Sequence, residues 1–157
     1  MLASPKRPQE KIVEGADFDA RQWPFFWITQ TAGQYIRTLE PALRKIGLDV
    51  PRWRVLMCVA PGQGISVTEV AELAIAKVPT MLKIIQRMEA DGLLACAPRA
   101  NDGRVTEVRL TDSGLDARNR AWAVAEQIYN KAFARTSDSE EARLNKLLER
   151  IYTNIRD

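Results

Sequence analysis

The 157-residue chain contains no histidine and only two cysteines. Without histidine, neither a Ser-His or Cys-His nucleophile pair nor a histidine-ligated metal site can form. Cys58 and Cys96 lie far apart in the sequence. They match no metal-ligand spacing, and two cysteines do not form the disulfide framework of a small secreted domain. Since no set of carboxylates or lysines suggests catalysis either, we expect no enzymatic activity, metal or cofactor.

The chain also lacks a long apolar run. Residues 1–9 are polar and rich in proline, unlike the hydrophobic stretch of a signal peptide, and no later segment is apolar enough to cross a bilayer. We therefore expect a cytoplasmic protein without membrane contact. The 46% hydrophobic and 27% charged fractions are ordinary for a globular protein. A net charge of +3 is compatible with nucleic-acid binding but does not indicate it alone.

Hydrophobic spacing predicts a mostly α-helical chain. We expect a flexible segment over residues 1–17 and a single domain over 18–157. Within that domain, terminal helices are predicted at about 19–46 and about 112–156, the latter range divided near Ser137. Pro41 lies inside the first helix and predicts a kink or a break there. Between the terminal helices, Pro51 begins another helix that ends at Pro61-Gly62.

A second group of signals follows in the middle of the chain. Ser66 and Glu69 form a capping box at the start of a short helix, and a further helix begins near Pro79. Residues 93–99 and 104–110 can both be extended, and the Ala-Asn-Asp-Gly turn at 100–103 between them predicts a β-hairpin. Two short helices followed by a hairpin indicate a winged helix-turn-helix at about 51–110. In such a unit one helix braces the DNA backbone and the next enters the major groove, while the hairpin tip, or wing, reaches the minor groove.

The ordered set of residues from Gly47 to Gly114 resembles the MarR (multiple antibiotic resistance regulator) family of transcription factors. The resemblance covers roughly Phe26 to the end of the chain. The residues on which it rests are Gly47-Leu48, Pro51 to Leu56, Val70 to Leu73, Pro79-Thr80, Arg87 to Leu93, Asp102 to Arg104 and Val108 to Gly114. It implies a mostly α fold with a small β-hairpin wing, and a homodimer held by the interlocked N- and C-terminal helices.

The resemblance also implies which residues bind double-stranded DNA. The recognition helix would begin at about Val78, and the wing arginine would enter the minor groove while the wing aspartate steadies the turn. Ser66 and Thr68, at the start of the bracing helix, are assigned to the DNA backbone. The remaining candidates are Lys77, Pro79, Thr80, Lys83, Arg87, Asp102 and Arg104. Leu82 replaces a small polar residue that often faces the groove, so base reading there is either apolar or lost.

Charge alone supports this interpretation only modestly. Residues 77–109 contain six basic and four acidic side chains: Lys77, Lys83, Arg87, Arg99, Arg104 and Arg109 against Glu89, Asp91, Asp102 and Glu107. Lys83 and Arg87, four residues apart, also fit a merely solvated helical stripe. The neighbouring wing and capped helix favour DNA contact.

Several aromatic residues raise the question of a ligand. Family members commonly bind small aromatic or phenolic anions, for which rings and an arginine are suited. The candidates are Trp23, Phe26, Tyr35, Trp53 and either Arg37 or Arg54, although each ring is also explained by packing in a dimer core. We thus expect a repressor of a pseudo-palindromic operator, released by an effector such as an aromatic acid or its thioester.

Two alternatives remain open. One is an oxidant-sensing regulator of the same fold that uses Cys58 or Cys96. However, relatives that sense oxidants place the reactive thiol in the first helix, where this chain has none. The other is a winged-helix protein-interaction module that does not bind DNA.

Overall fold

The computed structural model of the chain describes residues 19–156, so the predicted flexible segment 1–17 lies outside the described residues. The described residues fall into two compact units, one ending at Arg37 and the other beginning at Thr38. Each unit is described by itself below.

The first unit begins with a short 3-10 helix, Ala20–Gln22, capped by the Asp19 carboxylate, which accepts the Arg21 N–H at 2.9 Å. Helix α1 (Pro24–Arg44) follows, and the indole N–H of Trp27 donates to the Arg21 carbonyl at 2.8 Å. The helix passes through Pro41 without a break. Proline removes one backbone hydrogen bond there, and α1 continues beyond it for three residues.

The second unit contains five further helices. They are α2 (Val50–Cys58), α3 (Val67–Leu73), α4 (Val78–Ala90), α5 (Asp112–Ala132) and α6 (Asp138–Arg156). Local capping starts four of them, because side-chain oxygens accept amide protons that have no partner inside the helix. At α6 the Ser137 hydroxyl accepts the Glu140 N–H at 3.4 Å. Asp49 caps α2, Thr111 caps α5, and Ser66 with Glu69 forms the predicted capping box on α3.

A three-stranded antiparallel sheet forms the wing. Its strands are β1 (Ile65–Ser66), β2 (Leu94–Arg99) and β3 (Asp102–Leu110), in the order β1-β3-β2. Arg99 pairs with Asp102, so only residues 100 and 101 form the turn and β3 begins two residues before the predicted 104. Strand β1 was not predicted, because two residues are too few for an alternating pattern.

The hydrophobic core of the second unit lies among α2, α3, α4, α5 and the sheet. Leu39 and Leu43 at the end of α1 are fully buried in it, as are Leu56 of α2 and Ile85 of α4. Helix α5 contributes small residues, Ala117, Ala121 and Ala125, which permit close packing on the neighbouring helices. Helix α6, in contrast, has no buried residue. Among residues 19–156, no helix combines the length and apolarity that a membrane span requires.

Candidate nucleic-acid interface

Helix α4 has one buried face and one exposed face. Met81, Ile85 and Met88 are buried, since residues at intervals of three and four lie on the same side of a helix. The predicted DNA contacts Lys77, Pro79, Thr80, Lys83 and Arg87 are all exposed. The hydrophobic pattern that anchors α4 therefore also determines which side chains it presents to a partner.

The ion pairs divide the basic residues of this region into two groups. Arg99 lies 3.4 Å from both Glu69 and Glu107, and Arg109 lies 2.7 Å from Glu107. Lys77, Lys83, Arg87 and Arg104 make no ion pair within the described part of the chain. The four unpaired cations are the four that were predicted to contact DNA.

The acidic residues of the same region have hydrogen-bond or ion-pair partners. The Glu89 carboxylate accepts the Cys96 backbone N–H at 3.0 Å, and Asp91 pairs with Arg52. Hydrogen bonds from Arg109 and then from Arg99 lower the pKa of Glu107. These contacts leave the margin of two positive charges unchanged, because Arg52, which pairs with Asp91, and Glu69, which pairs with Arg99, both lie outside residues 77–109 and cancel each other.

The tip of the wing is held by Asp102. Its carboxylate accepts the backbone N–H of Arg104 at 3.1 Å, which fixes the start of β3. The guanidinium of Arg104 is exposed and unpaired within residues 19–156. The geometry thus presents one cation at the end of a defined hairpin.

The base of the wing is tied to α5. The Thr111 hydroxyl donates to the Gly92 carbonyl at 2.6 Å and accepts the Gly114 N–H at 3.0 Å, while the Thr111 N–H donates to the Leu93 carbonyl at 3.2 Å. A positive φ of 73° at Gly92 forms the turn that leads into β2. These contacts connect the end of α4, the wing and the start of α5 in one network.

Ser66 and Thr68 differ in accessibility. Ser66 is buried, its hydroxyl accepts the Glu69 N–H at 3.2 Å, and its own N–H donates to the Glu69 carboxylate at 2.8 Å. These bonds, together with Arg99, lower the pKa of Glu69. Thr68 is exposed. In this structure Ser66 therefore shapes the bracing helix, whereas Thr68 is accessible to a partner.

The predicted ligand residues of the first unit lie along α1 and the turn before it. Trp23 and Tyr35 are exposed, and Phe26 packs edge-on against Trp27 with 5.1 Å between the ring centroids. Arg37 donates to the Gln34 side chain at 3.0 Å and 3.3 Å.

The two predicted ligand residues of the second unit have different surroundings. Trp53 is buried in the hydrophobic core. The Arg54 guanidinium donates to the Ala74 carbonyl at 3.4 Å. Packing thus explains Trp53 without a ligand, and the proposed role of both residues stays a prediction.

Sequence reasoning overlooked one arginine. Arg118 of α5 is partly buried, and its Nε has no hydrogen-bond partner among the described residues. A buried cationic donor without a partner is unfavourable, so this atom is a candidate for binding an anion. In the sequence Arg118 is one of two arginines in the first half of a long helix, and no local pattern distinguishes it.

Neither thiol has the environment of a reactive cysteine. Burial raises the pKa of Cys58, and burial together with Glu89 raises the pKa of Cys96 to about 11. The nucleophilic form is the thiolate, which such surroundings disfavour. Residues 19–156 contain no group of three or more His, Cys, Asp or Glu side chains arranged to bind a metal ion.

Known proteins match the chain over most of its length, although no family model does. The HTH-type transcriptional repressor IacR of Pseudomonas putida is 38% identical over 155 residues, which are 98% of this chain and 93% of that protein. A MarR family transcriptional regulator from Silicibacter pomeroyi has a TM-score of 0.82 at 20% identity, covering 91% of this chain and 97% of its own. The chain belongs to the MarR family.

Two further proteins are similar to this chain. The homoprotocatechuate degradative operon repressor of Escherichia coli is 28% identical over 120 residues, covering 76% of this chain and 79% of that protein. CouR from Rhodococcus jostii, solved with p-coumaroyl-CoA bound, has a TM-score of 0.77 at 19% identity and covers 85% of this chain and 94% of its own. Membership in the family makes the chain a winged-helix transcription regulator.

Proposed function

We propose that this MarR family protein is a repressor that binds a pseudo-palindromic duplex operator as a homodimer and is released by a small aromatic anion. In each subunit α4 enters a major groove, and Arg104 of the wing enters the adjacent minor groove. Two lobes related by a two-fold axis contact half-sites about one helical turn, ~34 Å, apart.

The observation that supports DNA binding most directly is the set of unpaired cations. Lys77 just before α4, Lys83 and Arg87 on α4, and Arg104 on the wing have no anionic partner within residues 19–156. Neutralising DNA phosphates releases counterions, so each such contact adds salt-dependent affinity. If the cations of α4 formed only a solvated surface stripe, there would be no reason for a further unpaired cation to be held at the hairpin tip.

The test compares two arginines of the same strand. A duplex is first selected by the wild-type protein from a randomised pool, and its Kd is measured by fluorescence anisotropy at several salt concentrations. Arg104→Gln should weaken binding about tenfold or more and reduce the salt slope by about 0.9 per lost contact. Arg109→Gln, which removes the same charge from a paired side chain, should change Kd less than about twofold. Equal losses in both variants would contradict the assignment.

Exposed apolar surface supports dimerisation. Five large side chains of α6 are exposed, which is costly in water unless a partner covers them: Leu144, Leu147, Leu148, Tyr152 and Ile155. Leu147→Glu should shift the mass measured by light scattering from dimer toward monomer. Asn145→Glu adds the same charge on the opposite side of α6 and should leave the dimer intact. A dimer that withstands Leu147→Glu would place the interface elsewhere.

The names of two similar proteins support an aromatic effector. One is named for a homoprotocatechuate degradative operon, and another was solved with p-coumaroyl-CoA. Both names refer to an aromatic acid or its thioester. In the first unit the rings of Trp23, Phe26 and Tyr35 would supply apolar contact, and Arg37 would bind the anionic group. In the second unit Trp53 would supply apolar contact, and Arg54 or Arg118 would bind the anionic group.

A ligand screen tests this part separately. Homoprotocatechuate, p-coumarate and p-coumaroyl-CoA are added to the protein, and both thermal stability and release of the selected duplex are measured. An effector must raise the unfolding temperature and weaken DNA binding together, because it acts by binding one state better than the other. Among Arg37→Gln, Arg54→Gln and Arg118→Gln, the variant that loses only the ligand response identifies the anion contact.

The two alternatives are less well supported. The raised pKa values of both thiols disfavour an oxidant sensor. A protein-interaction module gives no reason for unpaired cations on both the recognition helix and the wing. Absence of duplex binding, or binding insensitive to salt, would favour that module instead.

A further inference from the structure

The recognition helix exposes large apolar side chains next to its cations. Val78 and Leu82 of α4 are 42% and 40% exposed, although Met81 and Ile85 of the same helix are buried. Val78 and Leu82 are four residues apart, so they lie on the same side of α4, and we refer to this pair as the apolar stripe. Packing in the core of the chain does not explain why these two apolar side chains are on α4.

The turn before α4 shows a related feature. Ile75 is 88% exposed and has a φ of 54°, a left-handed conformation in which glycine or asparagine is the usual residue. Neither solvation nor backbone geometry favours a β-branched apolar residue at this position. The segment from Ile75 to Leu82 therefore presents apolar groups at the cost of local stability.

Charge indicates what covers the stripe. Lys77 precedes Val78 and Lys83 follows Leu82, and neither makes an ion pair within residues 19–156. A partner of the stripe must thus be apolar at its centre and anionic at its edges. The major groove of DNA has this composition, because phosphates line it and the 5-methyl group of thymine is its apolar base edge.

We propose that Val78 and Leu82 read thymine by packing against its 5-methyl group in the major groove. This inference rests on the proposed DNA-binding function and adds to it a specificity determinant. Each half-site then contains thymine at one or two fixed positions opposite the stripe. Bases elsewhere in the site are read by polar side chains such as Gln86, which is exposed on the same helix and can form a bidentate contact with adenine.

The test removes only the methyl group. A duplex selected from a randomised pool by wild-type protein is resynthesised with uracil in place of thymine, one position at a time, and Kd is measured by fluorescence anisotropy. Burial of one methyl group corresponds to about a fourfold change in affinity. We expect about fourfold weaker binding when a stripe-facing thymine is replaced in one half-site, and about fifteenfold when it is replaced in both.

The second part of the experiment uses variants of the apolar stripe. In Leu82→Ser the ratio of Kd for the uracil duplex to Kd for the thymine duplex should fall toward one, and in Leu82→Met it should remain near the wild-type value. Gln86→Ala is the matched control, because it should weaken binding to both duplexes alike and leave the ratio unchanged. Far-UV circular dichroism confirms that each variant is folded.

The outcomes separate this inference from the function on which it rests. Wild-type protein that binds the selected duplex with steep salt dependence but binds the uracil and thymine forms equally would overturn thymine reading and leave DNA binding intact. A Leu82→Ser variant that keeps the full ratio would likewise overturn the role of the stripe. Failure of the wild-type protein to select any duplex would reject both.

Discussion

A single methyl group at Gly114 tests how closely α5 approaches the base of the wing. A Cβ atom at this position would lie 1.9 Å from the Leu93 carbonyl oxygen and 3.3 Å from Cδ2 of Leu110. The oxygen belongs to the backbone and also accepts the Thr111 N–H at 3.2 Å, so it cannot rotate away as a side chain could. Gly114→Ala must therefore move the Leu93 carbonyl, which immediately precedes β2, away from α5.

Two effects of opposite sign determine how much Gly114→Ala changes the free energy of unfolding. Alanine in place of glycine favours a helix by about 1 kcal/mol. Forcing an atom into a filled core typically costs about 1–3 kcal/mol, and a 1.9 Å contact with backbone lies beyond the usual range. We expect net destabilisation of about 2 kcal/mol or more, equivalent to a decrease in Tm of about 4–8 °C for a chain of this size.

The assay is urea unfolding followed by circular dichroism at one protomer concentration, because the proposed dimer would make the midpoint depend on concentration. Gly33→Ala is the control, since the nearest atom to its Cβ would be Nη1 of Arg37 at an ordinary 3.5 Å. That variant should gain up to about 1 kcal/mol. If Gly114→Ala unfolds at the same urea concentration as wild type or at a higher one, the inference that α5 packs closely against Leu93 is contradicted.

Three further predictions concern the capping box and the thiols. Ser66→Ala should lower the free energy of unfolding by about 1 kcal/mol, because it removes the acceptor of the Glu69 N–H. The folded state lowers the pKa of Glu69 below its ordinary 4.5, first through the Ser66 hydrogen bonds. The resulting stabilisation is present above that value and is lost as pH falls through the folded pKa. The stability advantage of wild type over Glu69→Gln, measured by thermal unfolding, should therefore shrink on acidification from about pH 7 to about pH 4. A pKa of about 11, against the ordinary 9.0, makes the thiolate fraction of Cys96 about a hundredfold smaller at about pH 8. A thiolate of higher pKa is also more nucleophilic, so Cys96 in a Cys58→Ser variant should react with iodoacetamide about tenfold more slowly than a free thiol.

Each of these predictions has a distinct contradicting result. Thr68→Ala, at the exposed neighbour of Ser66, should change stability by less than about 0.5 kcal/mol, so an equal loss in both variants would argue against the capping box. A difference between wild type and Glu69→Gln that widens in acid would reverse the sign assigned to Glu69. Alkylation of Cys96 at the rate of free cysteine would restore the oxidant-sensing alternative.

The elements of the fold were predicted well from sequence where their signals are local. A capping box depends on two residues three apart, so Ser66 and Glu69 located the start of α3 correctly. The hairpin was identified from its turn, but the start of β3 was misplaced by two residues, because cross-strand pairing of Arg99 with Asp102 decides it. Strand β1 exists only through its pairing with β3 and has no signal of its own.

The chemistry of the candidate site was only partly accessible from sequence. The exposed face of α4 followed from its periodicity, and the candidates Lys83 and Arg87 lie on it. The apolar character of Leu82 was also visible, but its exposure depends on how α4 is buried. Arg118 was missed, because an unpartnered guanidinium atom is recognisable only when all surrounding groups are in place.

The sequence by itself determined that the chain is a winged helix-turn-helix with six basic residues around its recognition helix and wing, because helix spacing, caps and turns depend on neighbouring residues. The sequence could not determine which of those basic side chains lack an ion-pair partner. Arg99 meets Glu69, 30 residues away, whereas Lys83, Arg87 and Arg104 make no ion pair within residues 19–156. Ion pairs between distant segments form only when folding brings those segments together, so the tertiary structure alone decided which of these cations remain without an ion pair.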